Sequence, residues 1–315
     1  LMKFQNIVLI GGGVLGSQIA YQTAYAGFHT TVYLRSEASI ERAKPKVARL
    51  HEIYRAELTA AKAGGGPVSR GLVFNETDLS KVDFDQLLAN ADRAFEELAY
   101  CTDLAEAVKD ADLVIEALAE NPQTKIEFYE KLRPLLPEKT IVATNSSTLL
   151  PSVLAPSTGR PEKFLALHFA NSIWRGNTAE VMGHAGTDQT AYDQVVDFAV
   201  QIGMIPLKLK KEQPGYILNT LLVPFLSAAE YLLVNDISDV ETIDKTWMLA
   251  TGAPMGPFRI LDVVGITTAY NIASNYPDAK DPDSLHGRIA RLLKEEYIDK
   301  GKTGLSAGEG FYKYN

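Results

Sequence analysis

The chain has 315 residues, 46% hydrophobic and 22% charged, with a formal net charge of −8. That length predicts two domains with room for a sizeable core, and the composition is that of a soluble globular protein. The negative balance argues against a nucleic-acid partner, so an anionic ligand has to be held by local cations or helix N-termini.

Residues 6–10, NIVLI, are a short apolar run rich in Ile and Val, which predicts a buried strand of a parallel sheet. GGGVLGSQIAYQTAYAG follows and predicts a glycine-rich turn, a helix of small and apolar residues, and a stop at Gly27. HTTVYL predicts the second strand of a strand–helix–strand unit. Gly11, Gly13 and Gly16, with Val14 and Leu15 between the last two, match a dinucleotide-binding fingerprint. The first glycine permits a tight turn, the second lets backbone approach a pyrophosphate, and the third lets the helix pack on the strand. The helix N-terminus then offers free N–H groups to the phosphates. At the end of the second strand, where an acid usually meets the ribose hydroxyls, stand Arg35 and Ser36. An arginine there can pair with a 2′-phosphate, so the expected cofactor is NAD(P), leaning to NADP. The alternative is a solvated Arg35 with Glu37 as the ribose acid.

Residues 37 to about 101 read as a charged helical insertion. SIERAKPKVARLHEIYRAELTAAKA is amphipathic with Pro45 an early break, Gly64 to Gly66 punctuate, and FDQLLANADRAFEELAY is a second helix candidate. ADLVIEAL, TIVATN, KFLALHF and MIPLKL predict further strands, and PQTKIEFYEKLRPLL a helix with Pro122 near its start. Beyond about Leu209 strands cease, and three helical stretches follow. The expected fold class is α/β: a Rossmann-type doubly wound parallel sheet domain over 1–208, plus an all-α C-terminal domain over 209–315. YILNTLLVPFLSAAEYLLV is the most apolar stretch, yet Asn219, Thr220, Pro224, Ser227 and Glu230 make it too polar for a membrane span. No cationic start precedes an apolar signal segment, and Leu1 ahead of Met2 reads as a cloning remnant. The one cysteine, Cys101, excludes a disulfide framework and a Cys-rich metal site, and fits a reducing, cytoplasmic setting.

With the fingerprint, ATNSSTL, ALHFAN, Glu180, PGYILNTLL, GAPMGPF and GEGFYKY occurring in that order, nearly the whole chain resembles the 3-hydroxyacyl-CoA dehydrogenase family. The resemblance places the catalytic histidine at His168 and its glutamate partner at Glu180. It places the substrate-binding serine at Ser147 and the asparagine of the helix entering the second domain at Asn219. It gives cofactor contacts to Glu120, Lys125, Asn145 and Asn171, and implies a homodimer.

The chemistry suits these residue types. Taking hydride from a secondary alcohol requires a base for the hydroxyl proton, and imidazole serves in both directions near neutral pH. A carboxylate on the other ring nitrogen fixes the tautomer and favours the imidazolium that forms. Ser147 and Asn219 can bind the reacting oxygen. Each residue has a plainer alternative: a backbone-bonded strand-end histidine, an exposed strand-edge Glu180, a helix-capping Ser147, a backbone-bonded mid-helix Asn219, a solvated Lys125.

The chain also departs from the family pattern. Where the family has HFFNP and an apolar, proline-containing segment, this sequence has HFANSIWRGNTAE, with Trp174 and Arg175 in place of aliphatic and proline residues. Arg175 either reaches a substrate carboxylate or phosphate or is plain surface. Lys44, Lys46, Arg49 and Arg55, where the family's CoA-meeting hairpin is lysine-rich, are diluted by acids, and Ser306 stands at the usual lysine before the C-terminal motif. The expected activity is oxidation of the 3-hydroxyl of a short-chain 3-hydroxyacyl-CoA. The alternatives are the same chemistry on a free hydroxy acid, carnitine or a sugar acid, and a non-catalytic NAD(P)-binding sensor or structural protein.

Overall fold

The computed structural model describes residues 4–314. Two compact units divide at Ile217 and Leu218, rather than at the expected 208/209 boundary. Residues 209–217 stay with the first unit because their polar groups are satisfied there. Leu209 N–H donates to Val181 O, Gln213 N–H to Met182 Sδ, and the Tyr216 hydroxyl to Ser146 O.

The first unit runs β1 (Asn6–Ile10), α1 (Val14–Tyr25), β2 (His29–Tyr33), α2 (Glu37–Lys62), α3 (Phe84–Glu97), β3 (Ala99–Cys101) and α4 (Leu104–Val108). It continues through β4 (Leu113–Glu116), α5 (Pro122–Leu132), β5 (Ile141–Thr144), α6 (Pro151–Leu154), β6 (Phe164–Phe169), β7 (Thr178–Met182), α7 (Gln189–Gln201) and β8 (Ile205–Lys208). These strands form one 8-stranded sheet in the order β3-β2-β1-β4-β5-β6-β7-β8. Every neighbouring pair is parallel except β6 and β7, which are antiparallel. The doubly wound expectation holds, with β3 and β7 added to the strands read from sequence. β1 sits between β2 and β4, so the sheet reverses its winding beside β1, where such folds bind ligands at the carboxyl edge. The central strands are continuous apolar runs because helices cover both faces: Leu113, Val114 and Ile115 of β4 are wholly buried.

Pro45 does not break α2, which runs unbroken for 26 residues from Glu37 to Lys62. The missing N–H removes one bond, but Ala43 and Val47 on either side of Pro45 are buried in the sheet core, and that packing holds the helix.

The second unit comprises α8 (Leu218–Val234), α9 (Val240–Thr251), α10 (Pro257–Val264), α11 (Ile266–Ser274) and α12 (Leu285–Leu292) around Leu226, Phe258, Leu261, Ile266 and Ile289. Two buried carboxylates organise it. Asp244 accepts from Phe258 N–H and Arg259 N–H and so caps α10, and Asp262 accepts from Phe311 N–H, Tyr312 N–H and the Tyr314 hydroxyl. The GAPMGPF and GEGFYKY motifs therefore secure the helical unit itself. Among the described residues, no helix is long and apolar enough to cross a membrane.

Candidate active site

The glycine turn joins β1 to α1 at the sheet's switch point. Gly11 takes φ +105°, and a Cβ on it would lie 2.8 Å from Ala117 O; one on Gly16 would lie 2.6 Å from Gly11 O. Gly13 is different, since a Cβ there would meet nothing within 4 Å. Its backbone faces open space at the N-cap of α1, and no side chain caps that helix. Val14, the first helical residue, is exposed. Open backbone, uncapped N–H groups and a positive dipole end fit a pyrophosphate.

The carboxyl ends of β4, β5 and β6 carry the acids and hydroxyls. β6 and β7 pair antiparallel with His168 directly opposite Glu180, which puts both side chains on one face as cross-strand neighbours. His168 Nδ1 lies 3.1 Å from Glu180 Oε1, and its Nε2 lies 3.2 Å from Ser147 Oγ. A carboxylate only accepts, so Nδ1 carries the ring proton and Nε2 presents its lone pair toward Ser147. His168 is 7% and Glu180 2% exposed. The second carboxylate oxygen, Glu180 Oε2, accepts from Ile217 N–H at 2.8 Å.

The segment preceding α8 closes on this pair. Tyr216 stacks on His168, and its hydroxyl donates to Ser146 O at 2.6 Å. Tyr216 holds φ +53°, a left-handed conformation that is costly for a residue with a Cβ. Burial holds the phenol well above its usual range, so the hydroxyl stays a donor.

From the other side Glu120 fixes Ser147. Its carboxylate accepts from the Ser146 hydroxyl and from Ser147 N–H at 2.9 Å. Ser147 is not a helix cap; Ser146 Oγ instead accepts from Leu149 N–H. Asn145 Oδ1 accepts from Phe169 N–H at 3.0 Å, tying the end of β5 to the end of β6. Asn171 is exposed in the loop after β6.

Three expectations need correction. Lys125, expected to contact cofactor or lie on a solvated face, is 1% exposed, and its ammonium is engaged by Glu116 Oε2 at 2.6 Å and Leu118 O at 3.1 Å. Tyr129 and Thr144 hydroxyls and Leu118 N–H complete the bonding of Glu116. Lys125 thus ties α5 to the end of β4, beneath the loop that carries Glu120. Arg175, read as meeting either a substrate anion or plain surface, is exposed, 3.5 Å from Glu57 Oε2 and over the Trp174 ring. Trp174 is itself buried against Tyr54 in the sheet core, so neither residue joins the His168 cluster. Asn219 lies in the first turn of α8, in the second unit, not in mid-helix.

Sequence reasoning missed Glu116 and Tyr216. Glu116 ends a strand and looks like a surface acid until α5 folds over it, and Tyr216 stands inside the PGYILNTLL motif with nothing local to set its role apart.

Residues 6–213 match the model of the 3-hydroxyacyl-CoA dehydrogenase NAD-binding domain, and residues 215–314 match that family's C-terminal domain. The chain belongs to the 3-hydroxyacyl-CoA dehydrogenase family. It is 33% identical to the mitochondrial hydroxyacyl-coenzyme A dehydrogenase of Homo sapiens over 98% of this chain and 91% of that protein. It is 30% identical to a probable 3-hydroxybutyryl-CoA dehydrogenase of Bacillus subtilis over 99% of this chain and 98% of that one. Among solved structures, a diketoreductase described as acting on dicarbonyl compounds is 50% identical over the whole of both chains, with a TM-score of 0.86. The family assignment makes the chain an oxidoreductase with an NAD-binding Rossmann-type domain.

Proposed function

We propose that this dehydrogenase family member moves a hydride reversibly between NAD(P) and carbon 3 of a short 3-hydroxyacyl or 3-ketoacyl compound, with His168 as general base and acid. The observation that carries this is the continuous Ser147–His168–Glu180 contact at the carboxyl edge of the sheet that also bears the glycine turn. The nicotinamide, when bound, supplies the hydride chemistry. In the oxidation direction Nε2 of His168 takes the hydroxyl proton. Glu180 stabilises the imidazolium that results, and Ser147 Oγ holds the reacting oxygen. Glu120 keeps Ser147 in place through its backbone N–H. For Asn219 the proposal of a substrate contact rests on the family alone. Arg35 and Ser36, in place of an acid, favour NADP. The exposed Leu221, Ile237 and Leu249 of the helical unit favour a homodimer.

For the carrier, the first reading is a short-chain CoA thioester, the substrate class that the names of the curated relatives imply. A second reading keeps the chemistry and drops CoA, and two observations favour it. The diketoreductase is the more similar protein by identity. On α2, Lys44, Arg49 and Arg55 each lie beside an acid, Glu41, Glu52 and Asp92, which dilutes the local positive field offered to a CoA phosphate and leaves Lys46 as the one of the four with no ion pair among the described residues. Oxidation of NADH and NADPH with acetoacetyl-CoA, free acetoacetate and an acetoacetate ester separates the two. A kcat/KM at least tenfold higher on the thioester supports CoA, and the reverse order supports the second reading. Tight cofactor binding with no turnover on any of them would leave a dinucleotide sensor.

A further inference from the structure

The first turns of α2 carry cations that no carboxylate neutralises. Arg35 follows β2 and is exposed. Ser36 caps α2, its Oγ accepting from Ser39 N–H at 3.2 Å and lying 3.0 Å from Ser39 Oγ. Arg42 then donates from Nη2 to Ser39 Oγ at 2.9 Å. One turn on, Lys46 Nζ reaches Arg42 O at 3.0 Å and Gly12 O at 3.4 Å, within the glycine turn itself. Neighbouring cations on the same helix are paired, Lys44 with Glu41 and Arg49 with Glu52. Among the described residues Arg35, Arg42 and Lys46 form no ion pair, and the nearby Glu37 forms none with them.

We infer that Arg35, Ser36, Ser39, Arg42 and Lys46 form a seat for a phosphate monoester on the adenosine 2′-carbon, with Arg42 determining cofactor specificity. This rests on the dinucleotide reading of the glycine turn. In this fold the adenosine ribose lies at the end of β2, where an acid accepts from two ribose hydroxyls and repels a phosphate. Here the polarity is inverted. Two serine hydroxyls and a guanidinium fork are donors, and the N-terminus of the 26-residue α2 adds its dipole. The chain's net charge of −8 gives a free dianion no general attraction, so unpaired local cations are what would hold it. Arg42 is already oriented by Ser39, which lowers the entropy lost when a ligand oxygen joins the same hydroxyl.

Calorimetric titration of the full chain at low salt, in a phosphate-free buffer, compares adenosine 2′,5′-bisphosphate with 5′-AMP, which differ only in the 2′-phosphate. The bisphosphate should bind ~10- to 100-fold tighter, the range given by one or two charge-assisted hydrogen bonds. That ratio should fall about tenfold in Arg42→Gln and in Arg35→Gln, and less in Lys46→Gln. Equal affinity for the two nucleotides in the wild-type chain, with NADH still binding, would overturn the seat and leave the dinucleotide reading standing. Failure of both nucleotides and of NADH would remove both. A ratio unchanged in Arg42→Gln and Arg35→Gln would overturn the residue assignment.

Discussion

The ring of Tyr216 lies almost flat on the imidazole of His168, with centroids 4.4 Å apart and planes 11° from parallel. The same side chain ties down Ser146, next to the serine that faces His168 Nε2. Tyr216 therefore packs on the middle member of the Ser147–His168–Glu180 contact and holds the segment that carries Ser147. Tyr216→Phe keeps the ring and loses one hydrogen bond, so kcat/KM should fall about fivefold, the equivalent of ~1 kcal/mol. Tyr216→Ala loses the stack as well and should fall further, by ~10- to 100-fold in kcat, with the KM for the dinucleotide little changed. Steady-state kinetics across pH on both variants checks this; a fall confined to the cofactor KM would contradict it.

His168→Gln removes the base. Its kcat should drop ~10²- to 10⁴-fold, the usual worth of a positioned acid–base group. Glu180→Gln keeps the shape but offers either end of an amide to Nδ1, so it loses both tautomer control and the compensating charge. A drop of comparable order is expected, with NADH binding retained. Fluorescence titration of NADH beside steady-state turnover is the measurement. Normal turnover in His168→Gln would end the general-base assignment.

The Lys125–Glu116 pair is buried at 1% and 0% side-chain exposure. Lys125→Met strands a buried carboxylate and should cost about 3–5 kcal/mol of stability. The double variant Lys125→Met, Glu116→Gln removes both charges and should recover most of that loss. Urea unfolding of the single and double variants reads the difference. Little or no loss in the single variant would show that water reaches Glu116.

Glu230, on the buried face of α8, is 8% exposed, and its Oε1 has no hydrogen-bond partner among the described residues. Burial pushes its carboxyl up to about 7. In the unfolded chain the group titrates near its ordinary value of about 4.3. Between those values the folded protein holds a proton that the unfolded chain has lost. Stability should therefore fall as pH rises through this window, by about 4 kcal/mol in all, and stay at the lower level above it. Glu230→Gln should be close to wild type at pH 4.5 and more stable at pH 8. Denaturant unfolding at the two pH values tests the sign, and an equal effect at both would refute it.

Much of the first unit was legible because the signals are local. Unbroken apolar strands, a glycine turn between strand and helix, and Pro122 after a capping Asn121 depend on residues a few positions apart. The reading failed where distant packing overrides a local rule. Pro45 reads as a break, yet tertiary burial of the turns around it carries α2 through. β7 is a 5-residue strand in a polar context, visible as a strand only through its pairing with β6. Lys125 has helix spacing that suits a solvated face until Glu116 is brought beneath it.

By itself the sequence determined the α/β class and the glycine turn, since both depend on residue type and short-range pattern, whereas Ser147, His168 and Glu180 stood out only through the family resemblance. Only the tertiary structure decided that β7 runs back against β6, which sets Glu180 opposite His168 at hydrogen-bond distance. It alone brought Tyr216 onto the imidazole and turned Lys125 inward and Arg175 aside. Those outcomes depend on contacts between residues 9 to 118 positions apart in the chain, where burial and pairing outweigh any local preference.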